Sequence, residues 1–122
     1  MSARGEAGAV AAIIEYLLYR GCLVIRVNSG AVQPKDNGGS RFIAFNRWQA
    51  RGLPAQTAGV ADILALAGGQ FFVIEVKAPG RRHKTTEAQR RFLAECAARG
   101  AVCVIACGIE DVERALEAVE VE

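Results

Sequence analysis

Between residues 6 and 20 the apolar positions Val10, Ile13, Ile14, Leu17 and Leu18 recur at i, i+3, i+4, i+7 and i+8, which predicts an amphipathic helix that Gly21 ends. Cys22 to Val27 is a short apolar run, read as a strand, leading into the turn-forming triplet Asn28-Ser29-Gly30. From residue 31 to 58 no period is sustained. A turn signal sits at Asp36-Asn37-Gly38-Gly39 and a candidate short strand at Arg41 to Phe45, and a connection this long is usually functional or mobile. Pattern returns with two apolar runs, Ile63 to Ala67 and Phe71 to Ile74, flanking Gly68-Gly69, the composition of a tight hairpin between buried strands. Ala78 to Lys84 holds Pro79, Gly80 and a crowd of basic side chains, and is expected to be a loop, neither helical nor central in a sheet. Thr86-Glu87-Ala88-Gln89 reads as a capping box with Gln89 at N3, opening a helix whose inward stripe is Gln89, Phe92, Leu93 and Cys96. Ala101 to Cys107 is continuously apolar, as in a strand covered on both faces. Val112, Ala115, Leu116 and Val119 mark a closing helix. The order α, β, β, β, α, β, α, without internal repeat, predicts an α/β fold with a mixed sheet flanked by helices.

The hairpin concentrates the chemistry. If Gly68 and Gly69 form the loop, Ala67 pairs with Gln70, Leu66 with Phe71, and so on down to Asp62 opposite Glu75. Cβ atoms of directly opposed residues lie about 4.5–5.5 Å apart, and like charges there destabilise the sheet, so something positive is expected between the two acids. The period of two places Lys77 on the same face as Glu75. Two acids and a lysine meeting at one end of otherwise apolar strands outline a site for divalent-metal hydrolysis.

Composition narrows the class. The 122 residues suffice for one domain, here residues 1–122, and 52% hydrophobic with 23% charged residues is a globular composition. No apolar stretch approaches the roughly 20 residues of a membrane span, and no signal pattern opens the chain, so a cytoplasmic protein is expected. Cys22, Cys96, Cys103 and Cys107 form no C-x-x-C pair and are expected to be reduced, buried small hydrophobes. A net charge of +2 says little, but its distribution says more. Lys77, Arg81, Arg82, Lys84, Arg90 and Arg91 oppose a single Glu87, while the segment from Ile109 onward is strongly acidic, so one face suits phosphate.

Asp62 followed after twelve residues by Glu75-Val76-Lys77 resembles the PD-(D/E)XK nuclease superfamily. The fuller pattern of Arg26-Val27-Asn28-Ser29-Gly30-Ala31, Gly59-Val60-Ala61-Asp62, Glu75 to Gly80 and Gln89 is similar to its VRR-NUC branch in stand-alone form, across nearly the whole chain. Ala61 stands where that family usually has proline, a position that is not a ligand. The resemblance implies a restriction-endonuclease-like core and Mg²⁺ or Mn²⁺ held by Asp62, Glu75, the Val76 carbonyl and a first-helix glutamate. Glu6, one turn before Val10, continues the core-facing stripe and is chosen over Glu15. Lys77 would orient or deprotonate the attacking water, and Gln89 would face Lys77. Asn28 and Ser29 either donate to phosphate or merely form the turn. Arg41, Arg47 and Arg51 interleave with Phe42, Phe45 and Trp48, which suits either DNA contact or a dimer surface. Arg81, Arg82 and Lys84 would lie over the scissile phosphate; His83 is given no role.

The expected function is therefore a metal-dependent deoxyribonuclease acting on structured or branched DNA, working as a homodimer as junction-resolving relatives do. The alternative is a catalytically silent nucleic-acid-binding module of the same fold, against which the retained acids argue. A nucleotide hydrolase ranks last, because the chain has no P-loop, no G-x-G-x-x-G and no G-x-S-x-G.

Overall fold

Gly68 and Gly69 take φ values of 57° and 78°, a backbone that is cheap only without a Cβ, and two such residues in succession form the turn whose twist suits a hairpin. The strands on either side pair as the sequence predicts, Ala67 opposite Gln70, Leu66 opposite Phe71 and Ile63 opposite Ile74. The computed structural model describes residues 5–27, 31–32, 41–42, 51 and 58–119, with the side chains of 31–32 and 41–42 left aside. In chain order the elements are α1 (Glu6–Tyr19), β1 (Leu23–Arg26), β2 (Ala31–Val32), β3 (Arg41–Phe42), β4 (Ile63–Ala67), β5 (Gln70–Val76), a 3₁₀ turn (Arg82–Lys84), α2 (Glu87–Ala98), β6 (Val102–Ala106) and α3 (Ile109–Val119). The main sheet is mixed and runs β1-β4-β5-β6, antiparallel except for the parallel pair β5 and β6; β2 and β3 form a separate antiparallel ribbon.

Helices cover both faces of the main sheet. On one, Ala9, Val10, Ile13 and Leu17 of α1 and Val112 and Leu116 of α3 pack onto Ile63, Ala65, Phe72, Ile74, Val76 and Ala106. On the other, Leu93 of α2, with Phe92 and Cys96, packs onto Val73, Leu64, Cys103 and Ile105. The alternation along β5 thus assigns Phe72, Ile74 and Val76 to the first face and Val73 and Glu75 to the second. α1 ends as expected at Gly21 (φ 85°), whose N–H and that of Cys22 bond back to the carbonyls of Leu18 and Leu17.

Two expectations are corrected. β6 has helices on both sides, yet four of its five residues are only half buried because it is the edge strand. The segment after Lys77 is not wholly irregular. Gly80, at φ 80°, turns the chain, and a single 3₁₀ turn follows, which needs only one i→i+3 bond per turn and so survives where a longer helix would not. All four cysteines are free as expected, but only Cys22 is buried, while Cys96, Cys103 and Cys107 are half buried; burial still pushes the Cys103 thiol up to about 11. Among the described residues no helix is long and apolar enough to cross a membrane.

One glycine ties the sheet to α2. Gly59 has φ 76°, and a Cβ there would lie 2.4 Å from the Ala88 carbonyl carbon and 2.6 Å from the Gln89 nitrogen. The chain entering β4 therefore rests directly on the first turn of α2, which no side chain would allow. Gly59→Ala is expected to cost at least about 1–2 kcal/mol from backbone conformation alone, with the clash added. Urea unfolding checks this: a midpoint equal to that of the unsubstituted protein would contradict the contact.

Candidate active site

One step beyond the last paired residues of the hairpin, Asp62 stands opposite Glu75. Both are buried, Glu75 to 2% exposure and Asp62 to 6%. Asp62 is held by its backbone and its side chain. Its carbonyl accepts from the Val27 N–H and its Oδ2 accepts from the Val76 N–H, each at 2.8 Å, so the carboxylate takes the place of a strand partner at the sheet end. Lys77 follows on the face of Glu75, its Nζ 3.6 Å from Glu75 Oε2. That ammonium also donates at 3.0 Å to Gln89 Oε1, which accepts from the Thr86 N–H at 2.9 Å. Gln89 thus closes the capping box, its own N–H bonding Thr86 Oγ1, and fixes the lysine with the same oxygen.

Charge is not balanced here. Two buried carboxyls face one ammonium, and Glu75 Oε1 is shut off from solvent without any hydrogen-bond partner among the described residues. Burial, then the Asp62 charge, push the Glu75 carboxyl from its ordinary 4.5 to about 8; Lys77 pulls it down and Glu6 adds to the rise. Asp62 is raised as well, chiefly by burial, against the lowering pull of the Val76 N–H, Lys77, the Glu75 carboxyl and Arg26. The Asp62 charge therefore makes it harder for Glu75 to ionise in this buried setting.

Asp62, Glu75, Lys77 and Gln89 are therefore brought together, and Val76 joins them through its N–H. Glu6 is not. It is exposed at the first residue of α1, not on the buried stripe, because the stripe's packing starts one turn later with Ala9 and Val10; only its charge reaches Glu75. Glu15 is exposed in mid-helix. Among the described residues no three His, Cys, Asp or Glu side chains form a group that could hold a metal ion; of the acids expected there, Asp62 and Glu75 stand together without a third. Arg81 and Lys84 are exposed in the loop that follows Lys77, whereas the Arg82 guanidinium is engaged by Asp111. Arg51 is exposed in a turn; Asn28, Ser29, Arg47, Phe45 and Trp48 lie outside the described residues. Sequence reasoning quoted Arg26 without giving it a role, though its charge acts on Asp62, and missed Asp111. The contrast between the basic run after Lys77 and the acidic segment from Ile109 was the available signal for the latter.

Comparison with models of known protein families and with curated proteins returns no match for this chain.

The raised Glu75 carboxyl has a consequence for stability without metal. The fold favours the protonated acid, so the contribution of Glu75 to stability is fully present below pH 4.5, is lost as pH rises from 4.5 to about 8, and is constant above. In chelator, Glu75→Gln is expected to flatten this decline and to be the more stable protein at pH 8. Melting temperatures across the window check it, and parallel profiles for the two proteins would contradict it.

Proposed function

We propose that this chain is a divalent-metal-dependent nuclease that hydrolyses phosphodiester bonds in DNA, with the restriction-endonuclease-like core and VRR-NUC affiliation that its motifs resemble. The observation that carries the reading is Glu75 Oε1, a buried carboxyl oxygen with no hydrogen-bond partner among the described residues, beside the buried Asp62 carboxyl. Leaving it so is costly unless a proton or cation meets it. The donors are hard oxygens, and Mg²⁺ or Mn²⁺ commonly takes one or two carboxylates and fills its remaining positions with water and substrate phosphate. The residues fit such an ion: Asp62 and Glu75 would hold it, with the Val76 carbonyl as the resemblance implies, while Glu6 adds negative charge from outside the pair. Chemistry supplied by an ion held there would be a more acidic bound water and an offset to charge on phosphate oxygens.

The chain's own groups do the rest. Of the three ammonium hydrogens of Lys77, one goes to Gln89 and one toward Glu75, which leaves one for a water or a phosphate oxygen. Arg81 and Lys84 supply phosphate contacts at the rim. The resemblance also supports a homodimer on branched DNA, since two symmetry-related sites match a four-way junction.

With Mn²⁺, the purified protein is expected to cut four-way and flap DNA in preference to linear duplex and to scatter light as a dimer. Asp62→Asn and Lys77→Ala should fold and lose cutting by about a hundredfold or more, the scale of a lost transition-state contact. Wild-type rates for Lys77→Ala would overturn the assignment. DNA binding without cutting in any divalent metal would favour the silent module, and a monomeric mass would remove the dimer.

A further inference from the structure

Arg82 belongs to the basic loop by sequence, yet its guanidinium is spent on protein. Nη2 donates to Asp111 Oδ2 at 3.0 Å, and Nη1 donates to the carbonyl oxygen of Ile105, near the end of β6. Asp111 gathers more donors, with the Cys107 N–H at 2.8 Å on Oδ2 and Arg114 Nη2 at 2.6 Å on Oδ1. Burial pushes its carboxyl up, but the Cys107 N–H and the Arg82 and Arg114 guanidiniums hold it below the ordinary aspartate value. The loop is tied internally as well. The Lys84 N–H bonds the Arg81 carbonyl at 2.8 Å, the buried Thr85 hydroxyl donates to the Arg82 carbonyl at 2.7 Å, and Arg90 donates to the Thr85 carbonyl at 2.6 Å. This loop joins Lys77 to Thr86, the two donors that share Gln89 Oε1.

We propose that Asp111 is a positioning residue: through Arg82 it pins the 3₁₀ turn onto the end of β6, so that Arg81 and Lys84 are presented to phosphate and Arg82 is not. The phosphate clause rests on the nuclease reading; the pin does not. A plainer account exists, in which Asp111 merely caps α3 through the Cys107 N–H. The two differ in what Arg82 does. Under the cap account Arg82 is a free surface cation, available to DNA.

Limited trypsin digestion of the full chain separates them, reading cleavage after Arg81 and Lys84 relative to cleavage after Arg99 as an internal control. Asp111→Asn and Arg82→Gln are each expected to speed loop cleavage about two- to fivefold, the range an exposed ion pair supports, and the double variant should be no faster than the faster single one. Salt titration of duplex binding adds the second reading. Arg82→Gln should leave the slope of log affinity against log salt unchanged, whereas Arg81→Gln with Lys84→Gln should flatten it by up to about 1.8, two phosphate contacts at roughly 0.9 each. Unchanged loop cleavage in Arg82→Gln, or additive effects in the double variant, would overturn the pin. A slope lowered by about 0.9 in Arg82→Gln alone would overturn the exclusion of Arg82 from phosphate. Wild-type protein that neither binds nor cuts DNA would defeat the nuclease reading, and the digestion would still decide the pin.

Discussion

Two buried carboxyl groups, Asp62 and Glu75, are held against each other with the Lys77 ammonium 3.6 Å from Glu75, and much of the surrounding packing serves to keep them there. The pairing of β4 with β5 brings Asp62 opposite Glu75, and the glycine turn at the far end leaves the register no freedom to slip. A like-charge pair at a sheet end would ordinarily push the strands apart. Here the Val76 N–H takes one Asp62 oxygen and Lys77 approaches one Glu75 oxygen, while Glu75 Oε1 is left over.

The surrounding structure is arranged to keep that group in place. Gln89 serves two masters with one oxygen, closing the first turn of α2 and restraining Lys77, so that the helix cannot shift without moving the lysine. Gly59 brings the chain that precedes Asp62 against that same turn. The loop between Lys77 and Thr86 is tethered to β6 and α3 through Arg82. Three separate contacts, from the sheet, α2 and α3, thus converge on a few side chains and restrain them.

Much of this was legible in the sequence because it rests on short-range periodicity. The hairpin register followed from Gly68-Gly69 and the strand period, and the double role of Gln89 followed from its N3 position and its place on the stripe with Phe92 and Leu93. What failed was information that periodicity does not hold. Glu6 matches the phase of Val10, yet phase says nothing about whether anything lies beneath the first residue of a helix, and it is exposed. The all-apolar run of β6 showed helices on both sides but not that the strand closes the sheet. A count of basic residues placed Arg82 with Arg81 and Lys84, whereas its partner lies 29 positions away on another element.

The proposed metal site turns on Glu75 Oε1, the buried oxygen without a hydrogen-bond partner among the described residues. Crystals grown with Mn²⁺ and measured near the manganese absorption edge test it most directly. The account predicts an anomalous peak bonded to Glu75 Oε1 and to an Asp62 oxygen at about 2.0–2.3 Å, the range of a hard divalent ion on carboxylate. A map in which Glu75 Oε1 is instead bonded to a protein donor or an ordered water, with no anomalous density beside Asp62, would contradict it.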